Sequence, residues 1–248
     1  MAGTIGITDK QHAKIAEYEA RDKPMTARMQ EEYNRLIEAR ENKELPAGVK
    51  DFIQEIWLKK EYGYAERVYT DAMKKGHLCE VESRTLAQKA FGGPFRKHNT
   101  TLFSNDYLVG TPDSVDPLED YKNALNVRTF RSAKAGKDYE WQIRAYMMLL
   151  NDNGIECNEG SVIYTLNPDP EEIFKNNERK LKYQYDFQED NPDYLEALEQ
   201  LVRNNEIITE LTPEQRTKRF IFERDLSMEE EIKERVQLAR EYYSTIIF

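Results

Sequence analysis

Two aspartates and a lysine stand on either side of one tight turn in the middle of the chain. Asp113 precedes the dipeptide Asp116–Pro117, and Asp120 and Lys122 follow it. Asp can hydrogen-bond its own backbone and Pro fixes φ, so this dipeptide favours a turn. A hairpin centred there places Asp113 opposite Asp120, with Cβ atoms about 4.5–5.5 Å apart. Because side chains alternate along a strand, Asp120 and Lys122 share one face.

These three charged groups predict a site for a divalent cation. Two carboxylates held this close repel each other unless a cation compensates their charge. Mg²⁺ or Mn²⁺, bound by carboxylate and carbonyl oxygens, would remove the conflict. The alternative is a surface hairpin whose charged side chains all face water, and at this point that alternative stays open.

A third acid is available from a neighbouring predicted helix. Glu80 and Glu82 lie in the first turn of a segment that stays helical until Gly92–Gly93–Pro94. Acids in the first turn stabilise a helix through its dipole, which accounts for both residues structurally. The functional alternative is that one of them is directed at the cation site from this adjacent helix.

The segment after Lys122 concentrates positive charge in an acidic chain. Positions 123–137 carry Arg128, Arg131 and two lysines, and we interpret them as a loop. Basic side chains of this kind are typical phosphate contacts in nucleic-acid complexes. A loop that is merely solvated is the alternative of equal weight.

A polar pair lies on an otherwise apolar helix, which is predicted from Tyr139 to about Asn153 and ended by Gly154. Gln142 and Tyr146 are four residues apart, so they lie on the same side of that helix. Such a pair needs a partner, because burying unsatisfied polar groups costs free energy. A site ligand, a cation-bound water or a DNA phosphate would supply one, and a structural hydrogen bond is the alternative.

Bulk composition excludes several classes of protein. Of 248 residues, 33% are charged and 39% hydrophobic, as is typical of a soluble globular protein with a sizeable core. No apolar run approaches about 18 residues, so no transmembrane helix is expected, and the first residues lack a signal-peptide pattern. The two cysteines lack metal-ligand spacing, which fits a reducing cytoplasm. The net charge of −10 argues against a strongly basic coat but leaves room for a local basic groove.

Hydrophobic periodicity divides the chain into a helical first part and a mixed second part. Apolar residues at helical spacing predict helices through positions 1–62. Further along, helices alternate with strands, including a strand over 95–103 and a last core strand over 159–167. We therefore expect a helical N-terminal region, residues 1–62, packed on a core of residues 63–248.

Taken in chain order, these residues resemble the motifs of the PD-(D/E)XK nuclease superfamily. The similarity is to the branch with a Q-x-x-x-Y helix, which contains lambda-type phage exonucleases and RecB-like nucleases. The matching phrases are Gly76-x-x-x-Glu80, Gly110-Thr111-Pro112-Asp113, Leu118-Glu119-Asp120-Tyr121-Lys122 and Gln142-x-x-x-Tyr146. They cover about residues 63–170, and the order of elements, helix, strand, hairpin, helix and strand, is that of the superfamily's core.

This resemblance implies a restriction-endonuclease-like core, an α/β (α+β-type) fold with a small mixed central sheet flanked by helices. It implies a Mg²⁺-dependent DNA exonuclease, with Mn²⁺ as a substitute, that hydrolyses phosphodiester bonds in phage or mobile-element recombination. Members with an iron–sulfur cluster need four cysteines, and this chain has two, so no cluster is expected.

The resemblance also implies roles for individual residues. The implied metal ligands are Asp113, Asp120, the backbone carbonyl of Tyr121 and Glu80, with Glu82 as the second choice for the last. Lys122 would position the attacking water or help to deprotonate it, and would offset phosphate charge. The expected substrate-binding residues are Gln142, Tyr146, Arg128 and Arg131.

DNA is the expected partner, in the cytoplasm of a bacterial or phage-infected cell. Lambda-type relatives assemble as rings, so the resemblance also implies a homo-oligomer. A recombination partner protein is expected as well, and the N-terminal helices are interpreted as an arm that either docks a partner or forms the oligomer. Two other functions stay open. One is a structure-specific or single-strand DNA endonuclease of the same fold, and the other is a non-catalytic, nuclease-like module that binds DNA or protein.

Overall fold

The computed structural model describes residues 9–41, 45–66 and 69–248. The helices are α1 (Asp9–Glu19), α2 (Ala27–Glu41), α3 (Ala47–Tyr62), α4 (Asp71–Leu78), α5 (Glu80–Phe91), α6 (Val127–Ser132), α7 (Lys137–Asp152), α8 (Glu171–Gln184), α9 (Pro192–Glu210) and α10 (Leu226–Thr245). The strands are β1 (Phe103–Ser104), β2 (Val109–Gly110), β3 (Ser114–Val115), β4 (Leu118–Asn123), β5 (Glu159–Thr165) and β6 (Thr217–Glu223). Positions 1–8, on which the expected lack of a signal peptide rests, lie outside the described residues.

Two compact units are distinguished by their internal contacts. One combines the described residues before position 67 with Leu226–Phe248, and the other covers the described residues of 68–225. From the sequence we assigned the segment of α10 to the core of residues 63–248, which also contains the strands. In the structure α10 packs against α3. An amphipathic helix needs an apolar partner, but its own periodicity does not say which one. The division into domains at position 62 stays a prediction.

A mixed four-stranded sheet, in the order β3–β4–β5–β6, forms the centre of the second unit. β4 and β5 are parallel, and the other neighbouring pairs are antiparallel. A parallel pair needs a crossover connection, and α7 lies in the one between β4 and β5. Within β5, Val162 packs with Ile143 of α7 on one face and Ile163 packs with Ala87 of α5 on the other. The predicted small mixed sheet flanked by helices is therefore confirmed.

The first predicted strand is much shorter than expected. Instead of covering 95–103, it is limited to Phe103–Ser104, which pairs with β2 outside the four-stranded sheet. The side-chain amide of Asn99 donates to the carbonyls of Thr101 and Pro112, at 3.1 and 2.9 Å. Such side-chain hydrogen bonds to the backbone compete with strand pairing. Among the described residues, no helix is long and apolar enough to cross a membrane.

Candidate active site

The hairpin between β3 and β4 brings the two predicted aspartates together. Val115 pairs with Leu118 and Ser114 with Glu119, so the next position in this register sets Asp113 opposite Asp120. The turn is at Asp116–Pro117, whose peptide bond is cis. The side chain of Asp113 accepts a 2.8 Å hydrogen bond at Oδ2 from the backbone N–H of Tyr121. The turn position and register inferred from the sequence are those of the structure.

Alternation along β4 directs Asp120 and Lys122 to the face covered by α7. Asp120 is 3% exposed, and the Lys122 ammonium lies 2.6 Å from its Oδ2. The same ammonium lies 5.4 Å from the centre of the Tyr139 ring, within the range of a cation–π contact. Lys122 is therefore held at the site on two sides, by a carboxylate and by an aromatic face.

The polar pair on α7 is satisfied by the site itself. The Gln142 amide donates from Nε2 to Oδ1 of Asp120 at 3.1 Å and to the hydroxyl of Tyr146 at 3.2 Å. Both oxygens of the Asp120 carboxylate thus have a neighbour, Gln142 at Oδ1 and Lys122 at Oδ2. Gln142 and Tyr146 thus lie at the predicted centre, where Gln142 contacts the Asp120 carboxylate and Tyr146 contacts Gln142.

The pKa values of both aspartates are raised above their ordinary range. Burial, together with the negative charges of Asp120 and Glu80, raises the pKa of Asp113 to about 6, against the lowering effect of the Tyr121 N–H. Burial also raises the pKa of Asp120, against the lowering effect of Lys122. An added cation would relieve this crowding of negative charge.

The pKa of Lys122 is also affected by burial, but the neighbouring carboxylates together outweigh that effect. Burial lowers the pKa of the Lys122 ammonium, whereas Asp120 and, more weakly, Asp113 raise it, and the net shift is upward. Lys122 is consequently an ammonium group at neutral pH, with hydrogen-bond donors and no acceptor. This cation lies 2.6 Å from Oδ2 of Asp120 and balances part of the negative charge at the site.

Glu80 approaches the site from the N-terminal end of α5. Its carboxylate lies 3.1 Å from Nδ1 of His98 and 3.5 Å from the guanidinium of Arg84. Its negative charge is one of the causes of the raised pKa of Asp113, while Glu82 is exposed and acts instead on the buried thiol of Cys79. Of the two glutamates, Glu80 is the one placed near the aspartates.

The donor set fits a hard divalent cation with few protein ligands. Within the described ranges, no three His, Cys, Asp or Glu side chains are grouped closely enough to hold a metal by themselves. Mg²⁺ usually keeps several waters and binds one or two carboxylates, which Asp113 and Asp120 provide. In an extended strand the N–H and C=O of one residue point to the same side, so the Tyr121 carbonyl, like the N–H that donates to Asp113, is on the β3 side of β4.

Arg128 and Arg131 lie on α6, within the segment interpreted as a loop. That interpretation is wrong for positions 127–132, because Asn126 and Thr129 form a reciprocal capping box that starts a helix. At the other end, the ammonium of Lys218 donates to the carbonyls of Phe130 and Arg131 at 2.7 and 2.9 Å. Both arginines are exposed, and no described contact joins them to the carboxylates.

A buried ion pair behind the site was missed at the sequence level. Arg96 donates to Glu119 through Nε at 2.7 Å and Nη2 at 3.2 Å. The hydroxyl of Tyr121 donates to the same carboxylate at 2.6 Å. Glu119 faces away from Asp120 by strand alternation, which is visible in the sequence, but Arg96 is 23 residues distant and gives no local signal.

The comparisons place the fold among exonucleases of known structure. No family model and no curated protein matches the sequence. The structure is similar to that of a phage-related exonuclease from Haemophilus somnus 129PT, with a TM-score of 0.63 and 18% identity, over 94% of this chain and 91% of that chain. It is also similar to the alkaline exonuclease LHK-Exo from Laribacter hongkongensis, with a TM-score of 0.49 and 13% identity, over 96% and 87% of the two chains. The first similarity confirms the predicted nuclease fold.

Proposed function

We propose that this chain, which has the fold of a phage-related exonuclease, is a Mg²⁺-dependent deoxyribonuclease that removes nucleotides from DNA ends in recombination of the phage type. The observation that carries the proposal is the convergence of Asp113, Asp120 and Lys122 on one small, largely buried patch. The similar fold of an exonuclease over nearly the whole chain supports the reaction class.

The aspartates would hold the metal ion. Asp113, Asp120 and the Tyr121 carbonyl are the oxygen donors on one side of the hairpin, and Glu80 would contribute from α5. Bound Mg²⁺ would supply a more acidic water and positive charge beside the scissile phosphate. Gln142 orients the Asp120 carboxylate by holding its Oδ1.

Lys122 would act as a positioned positive charge. Its ammonium can donate hydrogen bonds to the attacking water or to a phosphate oxygen. It can also offset the negative charge that develops during hydrolysis. The Tyr139 ring and Asp120 fix this ammonium before substrate binds, so little reorganisation is needed. Because Lys122 is charged at neutral pH, positioning and charge compensation are the roles we assign to it, rather than deprotonation.

The test compares hydrolysis of linear duplex DNA by wild type, Asp113→Asn and Lys122→Ala, with Mg²⁺, with Mn²⁺ and with EDTA. Wild type is expected to release nucleotides only with the metal ion, and each variant is expected to lose about a hundredfold or more in rate. Asp190→Asn and Lys175→Ala, at exposed positions, are the matched controls. A wild type without activity on linear, nicked or single-stranded DNA would refute the proposal.

A second substrate separates an exonuclease from an endonuclease. An exonuclease leaves covalently closed circular DNA intact, whereas a structure-specific or single-strand endonuclease cuts it or its single-stranded form. Binding of DNA without hydrolysis under all conditions would favour the non-catalytic module. A homo-oligomer and a recombination partner protein stay predictions, and light scattering on the purified chain checks the first of them.

A further inference from the structure

A groove runs along α5, from Glu80 at the first turn of the helix to Phe95 and Arg96 beyond its last turn. Its volume is about 630 Å³. It is lined by His77, Glu80, Val81, Arg84, Thr85, Gln88, Lys89, Phe95, Arg96 and His98. Glu80, one of the proposed metal ligands, lines one end of the groove and lies 3.1 Å from Nδ1 of His98, so the groove begins at that ligand. The other end lies at the C-terminal turns of α5, beside the segment 92–96.

The lining is basic, in contrast to the chain as a whole. Arg84 and Lys89 outnumber the one acid of the lining, Glu80, whereas the charge of Arg96 is balanced by the buried Glu119. The complete chain has a net charge of −10, so this is a local reversal of charge. Positive charge along a groove is how proteins follow a nucleic-acid backbone.

Phe95 is the other distinctive group of the groove. Its side chain is 81% exposed, although exposing a large aromatic ring to water is unfavourable. It stands between Pro94 and Arg96, and Arg96 is 5% exposed. An exposed aromatic ring beside basic residues is the combination on which the bases of an unpaired strand stack.

The loop that carries Phe95 is held rigidly. Gly92 and Gly93 both have positive φ, of 60° and 79°, and turn the chain back along α5. Arg96 donates to the carbonyl of Gly92 at 2.6 Å and to the side-chain oxygen of Gln88 at 3.2 Å. It also forms the buried ion pair with Glu119 on β4. A backbone fixed in this way loses little conformational entropy when a ligand covers Phe95.

The exposed ring of Phe95 favours an unpaired strand as the ligand of the groove. A volume of about 630 Å³ is that of a small-molecule site and accommodates one or a few nucleotides. The face of a base in the interior of a duplex is covered by its neighbours, so stacking on Phe95 requires a base released from the helix.

We infer that the groove along α5 binds the single-stranded DNA segment next to the scissile phosphate, with one base stacked on Phe95 and the backbone following Arg84 and Lys89. This inference rests on the proposed function for the direction of the strand, because Glu80 joins the groove to the proposed metal site. The recognised chemistry is an unpaired deoxynucleotide strand of any sequence, since every base offers a face for stacking.

Binding of a fluorescein-labelled oligo(dT), measured by fluorescence anisotropy in EDTA, tests the inference without hydrolysis. Phe95→Ala is expected to weaken binding about tenfold or more, and Phe95→Trp, which keeps a stacking surface, is expected to bind like wild type. Phe187→Ala removes an exposed ring elsewhere in the same unit and should leave affinity unchanged. Lys89→Ala should reduce the slope of log affinity against log salt by about 0.7.

Two results would overturn the assignment. One is equal affinity of wild type and Phe95→Ala for oligo(dT), with unchanged melting temperatures showing that both proteins are folded. The other is an equal effect of Phe95→Ala on blunt duplex DNA, which would assign the groove to double-stranded DNA. Metal-dependent degradation of DNA by wild type is measured separately. If wild type does not degrade DNA, the proposed function is refuted. The binding data still show whether the groove binds an unpaired strand.

Discussion

Gly110 lies directly against the ring of Tyr146, and a methyl group at position 110 would be 2.8 Å from Cε1 of that ring. The glycine therefore lets strand β2 approach helix α7 closely. Through Tyr146 this contact reaches the Gln142 amide and, through it, the carboxylate of Asp120. The glycine two residues before Pro112–Asp113 thus has a packing role in placing the active-site helix.

Gly110→Ala is accordingly expected to displace the Tyr146 ring. Overpacking of this kind costs about 1–3 kcal/mol, so the melting temperature should fall, and nuclease activity should fall with it. Gly48→Ala is the matched control, because a methyl group there meets no atom within 4 Å. Equal melting temperatures for the two variants would contradict the packing role of Gly110.

Gln142 connects helix α7 with the proposed metal ligand Asp120. Gln142→Leu keeps the approximate volume but removes the donor to Oδ1 of Asp120. Loss of a residue that orients a metal ligand typically costs about 10–100-fold in activity or metal affinity, and we expect a loss in that range. The measurement is the Mg²⁺ concentration dependence of DNA hydrolysis, with Gln237→Leu, an exposed glutamine of α10, as control. An unchanged Mg²⁺ dependence would show that Asp120 is oriented without Gln142.

Asp113 should destabilise the metal-free protein. Its pKa is raised to about 6 in the folded chain, against about 3.9 in an unfolded one. The charged form is therefore disfavoured by folding, by about 2–3 kcal/mol at neutral pH. Asp113→Asn, which can still accept the Tyr121 hydrogen bond, is expected to melt at a higher temperature than wild type in EDTA at pH 7. Saturating Mg²⁺ should raise the melting temperature of wild type more than that of the variant.

The same shift predicts a pH window. Between about pH 4 and pH 6 the folded protein keeps a proton on Asp113 that the unfolded chain has lost. The stability that this proton provides is thus present below about pH 4, falls as pH rises toward about 6, and then stays constant. The stability advantage of Asp113→Asn should grow over this window, as followed by thermal melting in EDTA. An advantage that is the same at pH 4 and pH 7 would show that the pKa of Asp113 is not raised.

Removing only one partner of the Arg96–Glu119 ion pair should lower the free energy of unfolding. Glu119 is fully buried, and Arg96→Met would leave its charge without a cation in the interior. Removing one partner of a buried pair typically costs about 3–5 kcal/mol, which thermal or urea unfolding would detect. The double variant Arg96→Met with Glu119→Gln should recover much of that loss, and Lys97→Met, at an exposed neighbour, should cost little. No recovery in the double variant would mean that Arg96 acts through its other hydrogen bonds.

The sequence by itself determined the core of the candidate site. The turn at Asp116–Pro117 and the alternation of side chains along a strand are local properties. They are sufficient to predict that Asp113 lies opposite Asp120 and that Lys122 lies on the same side. The helical period likewise set Gln142 and Tyr146 side by side. These contacts lie within ten residues of each other along the chain, so the local pattern was sufficient to predict them.

Only the tertiary structure decided which partners these groups have. Gln142 reaches Asp120 across 22 positions, and Arg96 reaches Glu119 across 23. Both contacts depend on α5 and α7 covering opposite faces of β4, which no single periodicity specifies. The groove along α5 is likewise a product of packing, because the backbone beside Phe95 is held in place by the ion pair of Arg96 with Glu119 on β4. The local sequence pattern determined which charged and polar residues form the candidate site. The packing of helices on the sheet determined which other residues contact them.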